Sequence, residues 1–149
     1  MARLQSSPLR CASLQNTASD LQNLAQIDAQ TLGLSREKHH RFLINNNAMR
    51  GVALHTRDDW VGYVYVSSDG HIGPLSVVQP NAVDAAFRTG LNLALESGSS
   101  QVSAFLPGMS DATRIAVEHG MRITIPMLLM STCDFGHWRR YLPRNPGFM

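Results

Sequence analysis

The chain has 149 residues, 44% of them apolar and 16% charged, with a formal net charge of +2. This is the size and apolar content of one globular domain with a real core, which excludes a disordered chain and two large domains. Twelve of the thirteen basic residues are arginine, yet only Arg139 and Arg140 are adjacent, so there is no basic stripe and nucleic-acid binding is not expected.

After a loose segment over residues 1–18, Leu21, Leu24, Ile27 or Asp28, and Leu32 recur at helical spacing, with Ser19 or Asp20 as N-cap and Gly33 as the stop. A second helix follows Ser35, its expected cap, and ends in Asn45-Asn46-Asn47. The period then changes to two. Strands are predicted over Arg50 to Thr56, Trp60 to Val66 and His71 to Val78, joined by Arg57-Asp58-Asp59 and by the Asp69-Gly70 turn, which makes an antiparallel meander. Gly73-Pro74 inside the third strand predicts a bulge or an interrupted ladder. A long helix carries Val83, Ala86, Phe87, Gly90, Leu91, Ala94 and Leu95 on one stripe. A strand over Gln101 to Leu106, a helix capped by Ser110 or Asp111, a strand over Met121 to Met130 and a last strand from Trp138 through Tyr141-Leu142 complete the order.

The longest apolar run, Ile125 to Met130, is far short of a membrane span and contains Pro126. The N-terminal residues carry no apolar stretch of the secretory kind, and Cys11 and Cys133 form neither a disulfide framework nor a zinc motif. A cytoplasmic protein with one domain over residues 19–149, free thiols and no membrane partner is expected. His39 and His40 point in different directions on their helix, so no metal is expected. Ser68, Asp69 and His71 sit too close along one turn to converge as a hydrolytic triad.

Taken in order, Leu24 through Ile27-Asp28, Leu32-Gly33-Leu34-Ser35-Arg36, Val61-Gly62-Tyr63, Ile72-Gly73-Pro74-Leu75, Glu118-His119-Gly120-Met121-Arg122 and Tyr141-Leu142-Pro143 resemble the GNAT superfamily of acyl-CoA-dependent N-acetyltransferases. The resemblance covers about residues 20 to 149, and these segments look like the C-terminal half of tandem-GNAT bacterial proteins. The resemblance implies an α+β fold with a mixed, mostly antiparallel sheet flanked by helices. It also implies transfer of an acyl group, acetyl above all, from acetyl-CoA to the amine of a small molecule or peptide by direct attack.

In that family two parallel strands splay apart, and free backbone groups of the first hold the pantetheine arm and polarise the thioester. The resemblance places the splay between Ile72 to Val78 and Gln101 to Leu106, the backbone donors at Leu75, Ser76 and Val77, and the pyrophosphate near Asn81, Ala82 and Val83 at the next helix start. Asp28 is the candidate to hold the acceptor ammonium, and Tyr141 the candidate general acid. Met109, Met127 and Met130 are candidate pocket walls.

Two family features are missing: the glycine-rich loop is replaced by Val78-Gln79-Pro80-Asn81-Ala82-Val83-Asp84, and the helix position that often carries a tyrosine acid is Ala116. A catalytically degenerate GNAT-like binding, dimerisation or acyl-CoA-sensing module is therefore the alternative function. Assembly as a homodimer, or with a second GNAT-like domain, is expected through the last strand, where Trp138, Tyr141, Leu142 and Phe148 gather.

Overall fold

The structure is a computed structural model and describes residues 9–146. Its strands are β1 (Arg10–Ser13), β2 (Met49–Thr56), β3 (Asp59–Ser67), β4 (His71–Val77), β5 (Ser103–Ala104) and β6 (Tyr141–Leu142). Its helices are α1 (Ala18–Leu32), α2 (Glu37–Ile44), α3 (Val83–Glu96) and α4 (Asp111–Glu118), with a 3-10 turn over Pro80–Ala82 leading into α3.

The sheet runs β1-β2-β3-β4-β5, antiparallel throughout except for the parallel β4–β5 pair. Alternation along the strands sorts the side chains to two faces. Val52, Leu54, Val64 and Val66 turn toward α3 and α4, where they pack with Ile72, Phe87, Leu91 and Ile115. Ala53, Tyr63 and Tyr65 turn the other way, onto Leu21, Leu24, Ile27 and Leu43 of α1 and α2. Each helix pair therefore covers one face, and the meander forms the shared middle layer of an α+β fold. The expected bulge is present: Val64 pairs with Leu75 and Val66 with Ile72, so Gly73 and Pro74 together stand opposite Tyr65.

Several local expectations are corrected. Part of the segment expected to be loose, Arg10–Ser13, is strand β1, registered against His55 to Val52. The N-cap of α1 is Thr17, whose side chain accepts from Asp20 N–H at 3.2 Å, while Gly33 closes the helix in the left-handed conformation as expected. Ser35 is not the cap of α2; Arg36 holds that position without a side-chain bond to the helix, because a guanidinium has donors only and cannot accept from the first backbone N–H groups. The strand expected over Gln101 to Leu106 shortens to β5, and the one expected over Met121 to Met130 has no secondary structure. Strand β6 is only Tyr141–Leu142, so Trp138 lies outside it.

Candidate functional site

The helical stripe of α1 places Asp28 beside Leu24, Ile27 and Thr31, all facing the sheet, and its carboxylate has no exposure at all. A buried carboxylate requires donors, and the neighbouring elements supply them. Arg36 Nε donates to Oδ2 at 3.0 Å and His40 Nε2 to the same oxygen at 2.8 Å, while Tyr63 donates to Oδ1 at 2.6 Å. With Nε2 donating, a neutral His40 ring accepts at Nδ1 from the Tyr65 hydroxyl, 2.9 Å away. The guanidinium extends the network, donating through Nη2 to Tyr63 Oη at 2.9 Å and through Nη1 to Tyr141 Oη at 2.7 Å.

Burial alone would raise the Asp28 pKa, but the bond from His40 and the charge of Arg36 outweigh it and hold the carboxyl below 3.8. The tyrosines respond in the opposite direction. Burial drives Tyr63 and Tyr65 well above the ordinary phenol value and pushes Tyr141 up to about 12 despite the opposing Arg36 charge. The cluster is thus a charged Asp–Arg pair wrapped in neutral hydroxyls and an imidazole. The structure brings together Asp28 and Tyr141, the two candidate catalytic residues, with Arg36 between them. Both are fully buried, and neither presents its polar atoms to a cleft.

The backbone edge expected to hold acyl-CoA has a different occupant. Strands β4 and β5 are in register only at His71–Ser103 and Ile72–Ala104, and beyond that point β6 lies against β4, pairing Leu75 with Leu142 and Ser76 with Tyr141. Val77 N–H donates to Arg140 O at 2.9 Å. By the alternation of an antiparallel ladder Leu75 also faces β6, and Ser76 turns its backbone to β3. The expectation of free donors at Leu75, Ser76 and Val77 is corrected on this ground. The Ser76 hydroxyl is likewise engaged, donating to Thr31 Oγ1 at 2.9 Å.

The helix-start donors are also committed. Ala82 N–H donates to Gln79 O at 3.1 Å and Val83 N–H to Pro80 O, closing the 3-10 turn, while Asn81 is exposed beside them. Asp84, in the first turn of α3, pairs with Arg88. The small anion site expected at Asn81, Ala82 and Val83 is therefore not formed by the latter two amides.

An open groove of about 1160 Å³ lies past the carboxyl ends of β4 and β5, between Pro80 and Phe105–Met109 on one side and residues 127–140 on the other. Met109, Met127 and Met130 line it, and Arg139 and Arg140 stand at its border. Among the described residues no helix is long and apolar enough to cross a membrane, and no three His, Cys, Asp or Glu side chains are grouped to hold a metal.

From the sequence, Arg36, His40, Tyr63 and Tyr65 have no catalytic or binding role: Arg36 and Tyr63 enter only within the resembling segments, and His40 only where a metal is not expected. The available signal was the position of Asp28 on a buried stripe, which demands a cation and donors nearby.

No protein-family model and no curated protein matches the sequence. Solved structures do match the fold. A ribosomal-protein-alanine N-acetyltransferase from Brucella melitensis biovar Abortus 2308 superposes with a TM-score of 0.57 at 14% identity, over 85% of this chain and 99% of that one. An aminoglycoside 6'-N-acetyltransferase from Acinetobacter baumannii gives the same TM-score and coverage at 11% identity. The mixed α+β architecture, with its mostly antiparallel sheet flanked by four helices, is the GNAT acetyltransferase fold.

Proposed function

We propose that this chain is a GNAT-fold binding and assembly module that performs no acyl transfer of its own. The observation that carries this reading is β6, which lies along Leu75–Val77 where the family would seat pantetheine. The burial of Asp28 and Tyr141 in one satisfied network supports it, since a general acid and an ammonium ligand must meet the substrate. Ala116, buried where a tyrosine acid often stands, supports it further.

Calorimetric titration with acetyl-CoA and with CoA tests it. A ligand that binds only the folded chain raises its melting temperature. No saturable heat and no shift at millimolar ligand is the expected result, and saturable binding with turnover over a panel of amines would overturn it.

A second reading, acetyl-CoA-dependent transfer to the amine of a small molecule or peptide, is favoured by the groove. Ligands of open α/β sheets bind beyond the carboxyl ends of the strands, and this groove lies there with two arginines at its border. It requires β6 to leave β4 when acetyl-CoA enters. Under this reading, binding is accompanied by loss of the Tyr141 contacts, visible as a change in tyrosine and tryptophan fluorescence.

A further inference from the structure

Residues 121–130 carry the alternation of a strand, with Met121, Ile123, Ile125, Met127 and Leu129 on one side at a period of two. The segment has no secondary structure here, and Ile123, Ile125, Leu128 and Met130 are 76%, 72%, 91% and 86% exposed. Strand β5 has the complementary deficiency. Ser103 N–H donates to Gly70 O at 3.2 Å, and consecutive residues of a parallel ladder turn their backbone groups to opposite sides, so Ala104 points its N–H and C=O away from β4. Among the described residues no strand lies on that outer side. From Val102 to Leu106 the edge carries neither a charge nor a proline, the usual protections against added strands.

We propose that these two deficiencies are met between copies of this chain: residues 121–130 of one copy add as a strand to the outer edge of β5 in a second, which returns the same contact about a twofold axis. This names the partner of the assembly reading above and rests on that reading.

Area supports a second copy as the occupant. Ile123, Ile125, Met127, Leu128, Leu129 and Met130 are all more than half exposed. At on the order of 100 Å² apiece they present about 600 Å², the upper end for a patch on a monomer. With the β5 edge added, the surface approaches the roughly 800 Å² per partner that a stable interface buries. No charged side chain lies between Ile123 and Met130, so like-charge repulsion does not oppose a symmetric contact. Pro126 removes a single donor from the added ladder, as edge positions allow.

Expected in light scattering at micromolar concentration is twice the chain mass. Ile125→Lys changes an exposed side chain, and Ala104→Pro deletes an outward-facing donor, so each should return the chain mass while circular dichroism stays unchanged. Ile123→Lys replaces Ile125→Lys should that variant lose its fold. A wild-type mass that stays monomeric as concentration rises would overturn the proposal, as would a dimer that persists in a folded variant of either element. Light scattering reads mass and calorimetry reads acetyl-CoA binding, so a monomer that gives no acetyl-CoA heat overturns this proposal alone, and a dimer that turns over acetyl-CoA overturns only the reading above.

Discussion

Arg36 at the start of α2 donates to the hydroxyl of Tyr141 at 2.7 Å, joining the helical layer to a strand 105 positions away in sequence. The same guanidinium neutralises Asp28, so one side chain both compensates a buried charge and anchors β6 in the sheet. Replacing it with a methionine of similar length would leave the carboxylate buried with only His40 and Tyr63. Removing one partner of a buried ion pair costs about 3–5 kcal/mol, and a loss of that order is expected for Arg36→Met in urea unfolding. Asp28→Asn in the same chain should recover part of it, because the uncompensated charge is then gone. Additivity of the two substitutions within about 0.5 kcal/mol would contradict the coupling.

Stability should decline in acid in two stages. Burial, followed by the Arg36 charge, lowers His39 from 6.5 to about 4. The unfolded chain therefore takes up that proton first, and the contribution is complete above pH 6.5 and lost as pH falls from 6.5 toward 4. Asp28 follows. Its depressed folded value makes its contribution present above 3.8 and lost as pH falls through the lower folded value. Urea midpoints measured against pH should show the upper stage diminished in His39→Gln and the lower one retained. Parallel profiles for the variant and wild type between pH 6.5 and 4 would show that His39 does not carry it.

Gly51 sits mid-strand in β2 because the Tyr65 ring lies across it: a Cβ there would stand 2.6 Å from Tyr65 Cε1. Gly51→Ala must displace that ring, and with it the hydroxyl that faces His40 Nδ1. Overpacking of this kind costs about 1–3 kcal/mol. A loss of that order is expected when Gly51→Ala is made in the wild type and a much smaller one when it is made in the Tyr65→Leu variant, each compared with its own parent by thermal unfolding. Equal destabilisation in both would place the clash elsewhere.

The parts of this molecule legible in its sequence are those with local signals. Gly33 stops α1, Asp69-Gly70 turns β3 into β4, Ser110 caps α4, and the change of period at residue 50 separates helices from meander. The placement of β6 has no such signal. Two residues, Tyr141 and Leu142, find their partners at Ser76 and Leu75 through tertiary packing, and their own sequence is equally compatible with an exposed edge. Their burial also removes them from the surface expected to carry assembly; Trp138 is half-buried, and Phe148 lies outside the described residues. The opposite case is Met121 to Met130, where the strand pattern is plain and no partner strand exists within the chain among the described residues. Arg36 carries no local signal either, because a buried guanidinium is distinguished from an exposed one only by what faces it.

The occupation of the β4 edge by β6 is tested most directly by amide hydrogen exchange at Val77, with and without acetyl-CoA. The bond from Val77 to Arg140 predicts protection approaching that of the core strands, unchanged by millimolar acetyl-CoA. Exchange at the rate of an open sheet edge in the free protein, with protection appearing only when acetyl-CoA is added, would contradict the account and return the edge to the role the fold plays in transferases.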